Sequence, residues 1–235
     1  MMMRLSKNLI ALALLATLGA CGDLSGPFGR AADSLRTTLE QRNAPDVVVA
    51  PITRAQITAN PNASLRVTDR LGRNAILQAV TELDGQVTYR STDSVSIAFA
   101  GPELLRSRGL TDDISGQISE PALPLNIALA LPVGASAVGT THTRTIRRIG
   151  PLAEVEVSTF VCTFSNVGPD PQQIVELTFN TIRIEEPCAD ISTDKPEAFV
   201  NTWWIDPVSG QVWRSRQWVS GGQGYLDIEV LKSLG

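Results

Sequence analysis

From about Ser64 the apolar positions of the chain recur every second residue, the period of a strand with one face buried. Leu65 and Val67 alternate with Arg66 and Thr68, and Gly72 to Val80 continues as a second strand. Asp84-Gly85 is a hairpin turn signal between Val80 and Val87. Val95, Ile97 and Phe99 then alternate with serine and alanine. Residues 64–70, 74–82, 86–91 and 94–100 are therefore predicted as an antiparallel meander. Gly101 to Asp113 interrupts the pattern and predicts a short helix over Pro102–Arg108, with a turn at Gly109. Ser119–Ala137 holds three prolines, and predicts irregular chain or a helix over Asn126–Leu131. Alternation returns at Thr140. Val155, Val157, Thr159 and Val161 lie opposite Glu154, Glu156 and Ser158, and Val175, Leu177 and Phe179 form the next inward row. Thr181–Glu185 follows after a slip of parity at Asn180, the mark of a bulge. Phe199–Ile205, Val212–Val219 and Tyr225–Leu231 complete the strands, joined by turns at 206–210 and 221–224.

Before Ser64 the pattern differs. Leu9–Leu18 is an apolar run of about ten residues, half the ~20 that a membrane-spanning helix needs. It follows Arg4 and Lys7 and ends in Leu18-Gly19-Ala20-Cys21. A charged start, a short apolar run and small residues before a cysteine form a lipoprotein signal. Residues 1–20 are expected to be removed and Cys21 to carry lipid, since its thiol alone can become the thioether. Two or three acyl chains anchor stably at ~0.8 kcal/mol per buried CH₂. Gly22 follows the cysteine, not the aspartate that retains many lipoproteins in the inner membrane. The expected location is the periplasmic face of a bacterial outer membrane. Residues 21–44 then read as a tether and short helix, with Leu35 and Leu39 one turn apart and Asn43-Ala44-Pro45 as its stop. Thr53 is placed to cap a further turn reaching Ile57. Residues 45–235 carry no convincing linker and read as a single β-rich domain, a barrel or sandwich.

Composition narrows the function classes. Losing Arg4 and Lys7 with the signal takes the formal net charge from −4 to −6, which gives no electrostatic footprint for nucleic acid. With Cys21 committed to lipid, Cys162 and Cys188 remain, in a compartment that oxidises thiols. They are expected to form a disulfide worth ~3.5 kcal/mol in the chain-entropy model. One histidine, His142, and no cysteine pair at ligand spacing argue against a metal site.

All four tryptophans, Trp203, Trp204, Trp213 and Trp218, fall within sixteen residues, interleaved with Arg214 and Arg216 and followed by Tyr225. On a regular strand Arg214, Arg216 and Trp218 share one face, and Trp213, Ser215, Gln217 and Val219 the other. Two uses are open. The group is a platform for sugar rings and acidic substituents, or a tryptophan core with arginines stacked over it.

The segment Phe199-Val-Asn-Thr-Trp-Trp-Ile-Asp206, then Gly210-Gln-Val-Trp-Arg-Ser-Arg-Gln-Trp-Val219 and Gly224-Tyr-Leu-Asp-Ile-Glu229, resembles the YjbF family. This is also called the group 4 capsule polysaccharide lipoprotein family and includes GfcB-like proteins. Phe160-Val-Cys162 and Glu185-Glu-Pro-Cys188 sit where that family has its cysteines, and Arg108–Ser115 is similar to its central glycine/aspartate turn. The resemblance covers most of the mature chain and is specific over its last ~40 residues. It implies a mainly antiparallel β outer-membrane lipoprotein linked to production or export of extracellular polysaccharide. Membrane, polysaccharide and export proteins are the implied partners. It implies no catalytic residues and no cofactor.

An enzyme needs a constellation, and the chain offers few groups for one. It has no nucleophile elbow, no H-E-x-x-H and no phosphate loop. Asp112/Asp113 and Glu185/Glu186 are acid pairs by type only, because adjacent residues on a strand face opposite ways. His142 reads as a strand-surface residue, and Thr143–Arg148 as a solvated basic face with a secondary capacity for acidic polysaccharide or lipid phosphate. The reading is a noncatalytic accessory lipoprotein that binds glycan or docks a secretion partner. A purely structural envelope lipoprotein is the alternative, and a glycan-modifying enzyme the third.

Overall fold

A computed structural model describes residues 51–120, 122, 125–135, 141–150, 154–191 and 198–234. The signal, Cys21 and the tether with its helix lie outside the described residues. Thr53 caps α1 (Arg54–Ala59) through a reciprocal pair: the Gln56 N–H donates to Thr53 Oγ1, and the Thr53 N–H donates to Gln56 Oε1. A first meander follows, β1 (Ser64–Thr68), β2 (Asn74–Leu83), β3 (Gln86–Arg90), β4 (Ser96–Ala100) and β5 (Glu103–Arg108). Asp84 and Gly85 both take positive φ in the β2–β3 turn, as a two-residue hairpin requires. Then come β6 (Ile114–Glu120), α2 (Leu125–Leu129), β7 (His142–Ile149), β8 (Val155–Cys162) and β9 (Ser165–Pro169). A small hairpin, β10 (Gln172–Ile174) and β11 (Leu177–Phe179), precedes β12 (Ile182–Asp190), β13 (Ala198–Ile205), β14 (Val212–Ser220) and β15 (Gly224–Lys232).

The strands pair antiparallel in the order β5-β4-β3-β2-β1-β15-β14-β13-β12-β8-β7-β6, with β9 beside β12. The first and last strands of this path meet, so the sheet curls into a nearly closed barrel. Side chains seal the seam. Ser107 Oγ accepts from the Ile114 N–H and donates to Asp113, and Gln117 and Ser119 of β6 donate to Glu103 of β5. The core inside joins Leu65, Leu77, Ile97, Leu104, Ile146, Phe160 and Leu226. A second cluster sets α2 residues Leu125 and Ala128 with Phe164, Ile184, Trp203 and Ile205. Cys162 and Cys188 face each other across β8 and β12, Cα atoms 4.1 Å apart, and form the expected disulfide.

Several expectations are corrected. Residues 103–108 form a strand, not a helix: Glu-Leu-Leu-Arg-Ser-Arg has helical propensity, but pairing with β4 and burial of Glu103 and Leu104 override it. Strand β6 falls where only a turn and irregular chain were expected. In β8 the inward residues are Phe160 and Cys162, whereas Val155 and Val157 are exposed. Val175 is no strand residue. It takes φ 57° in the tight β10–β11 turn, and Leu177 beyond it is 43% exposed. The helix expected over Asn126–Leu131 is present as α2.

Candidate functional site

Two groups of side chains stand out, one inside the barrel and one on its wall. The inner group is polar. Strand parity puts His142 and Arg144 on the same side of β7 as Ile146, and Glu186 on the same side of β12 as Ile184 and Cys188. Arg144 is 1% exposed and Glu186 0%. Arg144 Nη2 donates to Glu186 Oε1 at 2.6 Å, and Nη1 to Glu103 Oε1 at 2.6 Å. His142 Nε2 lies 2.7 Å from Glu186 Oε1, and Asn201 Nδ2 donates to Glu186 Oε2 at 2.8 Å. Burial pushes the Glu186 carboxyl up, but the Arg144 guanidinium and the bonds from His142 and Arg144 outweigh it, so its pKa lies below the usual value. Burial likewise opposes the Arg144 charge, and Glu186 and Glu103 overcome it.

These positions correct two expectations. His142 is a buried residue stacked on Phe164, ring centroids 5.1 Å apart. Thr143–Arg148 is not a solvated face throughout. Arg147 is exposed, but Arg144 is in the interior and Arg148 lies over the Trp218 ring while donating to the Val219 carbonyl. The first acid pair accepts hydrogen bonds from neighbouring turns and strands. Asp112 accepts from Ser220 Oγ, and Asp113 from Ser107 and the N–H groups of Gly109 and Leu110. Donor atoms of His142, Cys162 and Glu186 lie within 4.8 Å of one another. The Cys162 sulfur is spent on the disulfide and Glu186 already faces a guanidinium, so the trio makes a poor ligand set.

The outer group contains the tryptophan and arginine segment, which the structure divides. Trp203 is fully buried and Trp218 nearly so, stacked on Phe199 at 4.4 Å. Trp204 and Trp213 are half-buried outside the barrel core. A register shift at Ile205 breaks the regular alternation of β14. Trp213 therefore leaves the face of Ser215 and Gln217 and packs on Phe179 of the small hairpin at 3.9 Å. Across β1, β15, β14 and β13 the register sets Arg66, Glu229, Arg214 and Trp204 in one row, and Thr68, Asp227, Arg216 and Thr202 in the next. Arg214 stacks over Trp204 at 5.0 Å and donates to Gln172 and Asp227. Trp204 Nε1 donates to Asp170 at 2.8 Å. Arg216 is exposed and lies over Tyr225 at 4.5 Å, and among the described residues no acceptor takes a hydrogen bond from it. Tyr225 fixes its own ring by accepting from the Val200 N–H.

The family described as group 4 capsule polysaccharide lipoprotein gfcB, YjbF, matches residues 32–231. The chain belongs to the YjbF family. Among solved structures, the crystal structure of the hypothetical lipoprotein YmcC from Escherichia coli K12 is similar in fold. Its TM-score is 0.66 at 22% identity, over 86% of this chain and 96% of that one. No curated protein matches the chain. The YjbF domain thus carries a buried ionic network inside its β barrel and an arginine–aromatic row on the wall.

Proposed function

We propose that this YjbF protein is a noncatalytic lipoprotein, anchored through acylated Cys21 to the periplasmic face of the outer membrane. In this reading it assists export of an extracellular polysaccharide by binding the glycan on the outer row of Trp204, Arg214, Arg216 and Tyr225. The observation that carries it is the Arg216–Tyr225 pair. The exposed Arg216 guanidinium, held flat over the half-buried Tyr225 ring and with its hydrogen-bond donors unspent among the described residues, offers a donor fork for carboxylate or phosphate on a sugar chain. The family's capsule description supplies the substrate class. A noncatalytic role is supported by the burial of Glu103 and Glu186 and by their engagement with Arg144.

The test is a deletion strain complemented with wild type, Arg214→Ala or Arg216→Ala, scored for surface polysaccharide and for thermal midpoint. Arg216→Ala is expected to fold normally and restore little polysaccharide. Full restoration by both variants would remove this row from the working surface. A protein-docking role is the second reading, favoured by the exposed apolar residues Ile118, Ile149, Val155 and Val157 on β6–β8. Loss of export on charging Val155 and Val157, with Arg216→Ala silent, would select it.

A further inference from the structure

The inward rows do not fill the barrel at one end. A cavity of about 330 Å³ opens there, beside the turns that carry Gly85, Gly101 and Gly210. Its walls are inward residues of four strands, β1, β3, β4 and β15: Leu65, Val87, Tyr89, Phe99, Ile228 and Val230. The volume is that of a small ligand site, and barrel mouths are a common place for one. The three turn glycines have positive φ, and a Cβ at any of them would meet nothing within 4 Å, so the rim is open.

We propose that this mouth binds one aliphatic chain of a lipid. A sugar is disfavoured because each of its hydroxyls needs a partner once buried. The named walls offer the tyrosine as their only polar side chain. The one buried hydroxyl added to them is Ser215, which already accepts from Gln217 Nε2 at 2.9 Å. The aromatic rings are also engaged with each other, since Tyr89 and Phe99 pack edge to face with centroids 5.9 Å apart, which occupies one ring face. The charged lining residues are peripheral. Glu82 is exposed at the rim, and Arg214 belongs to the outer row. An apolar tail inside with its head in water satisfies both regions.

The chain's own entry point lies close by. Ile52 packs in the cluster of Leu231, three residues before Leu234 of the cavity lining. A chain of the length from Cys21 to Pro51 has a contour of up to ~100 Å, so an acyl group on Cys21 is a second source of the same chemistry beside a foreign lipid. Only this question of source rests on the lipoprotein reading.

The experiment titrates cis-parinaric acid, a fluorescent C18 chain, into the full-length mature chain carrying Cys21→Ser, with palmitoyl lysophosphatidylcholine as competitor. Saturable, competed binding is expected. Val87→Trp and the half-buried Val230→Trp should each weaken it by about tenfold or more, while Arg216→Ala leaves it unchanged. If Val87→Trp fails to fold, Val230→Trp decides. Reduced uptake by the lipidated protein assigns the occupant to its own anchor, and equal uptake assigns a foreign lipid. Absence of saturable binding, or binding indifferent to Val230→Trp, overturns the proposal. Chain binding with full export by Arg216→Ala would instead fault the glycan row alone.

Discussion

Replacing Arg144 by methionine removes a charge and leaves the volume nearly intact, so it tests the interior network with little cavity effect. The guanidinium makes two bonds of 2.6 Å, one to Glu103 and one to Glu186, and is 1% exposed. Hydrogen bonds to charged groups contribute ~1.5–3 kcal/mol each, and breaking a buried ion pair by removing one partner costs ~3–5 kcal/mol. Both routes give the same size of loss. For a domain of this length it lowers the midpoint by roughly 6–20 °C. The assay is urea unfolding at pH 7.5 and again near pH 4. The gap between wild type and Arg144→Met should narrow in acid, because protonation neutralises Glu186, whose charge the guanidinium balances. Arg144→Lys should recover only part of the loss, since one ammonium lacks the planar fork that serves two acids. The triple variant Glu103→Gln, Arg144→Met, Glu186→Gln should recover most of it. A loss under about 0.5 kcal/mol, or one independent of pH, would refute the reasoning.

Glu186→Gln should flatten the acid limb of the stability curve. The folded pKa of Glu186 lies below its ordinary 4.5, so its contribution is complete above that pH and is lost as pH falls through the lower folded value. An acid limb identical to that of the wild type would count against this. Mass spectrometry of unreduced digests should recover Cys162 and Cys188 in one linked peptide pair, and Cys162→Ala with Cys188→Ala should cost ~2–5 kcal/mol. Alkylation of both thiols without reductant would disprove the bridge. Metabolic labelling with palmitate should mark the wild type and not Cys21→Ser, and equal labelling would discard the anchor.

Much of the barrel was legible because one buried face imposes a period of two. Strands β1–β4, β13 and β15 follow that period, and Asp84-Gly85 marks its turn without ambiguity. Legibility failed where closure, and not local pattern, decides conformation. Residues 103–108 are a strand because they line the seam, which their own sequence does not state. Val155 and Val157 read as inward by type, yet Phe160 and Cys162 hold that face. Polarity alone places His142 and Arg144 on the surface. A usable signal was present, since both share parity with Ile146, as Glu186 does with Ile184 and Cys188. Polar residues in phase with a buried row mark partners across the barrel, but the sequence does not say which rows meet. Trp213 escaped because a register shift changes the face of a residue without changing its neighbours.

The placement of the network explains why a costly arrangement belongs in this barrel. Strands β5 and β6 end the hydrogen-bonded path, and no backbone ladder joins them. Arg144 of β7 reaches across to Glu103 of β5, while its other arm holds Glu186 of β12, and Asn201 of β13 holds that acid from the far side. Five strands, counting β6 through Gln117 and Ser119, are thereby tied by charge-assisted or buried bonds that only one register satisfies. An apolar seam would tolerate a slip of two residues; this one would strand a buried carboxylate. Closure at the seam thus has an electrostatic part beside the apolar core.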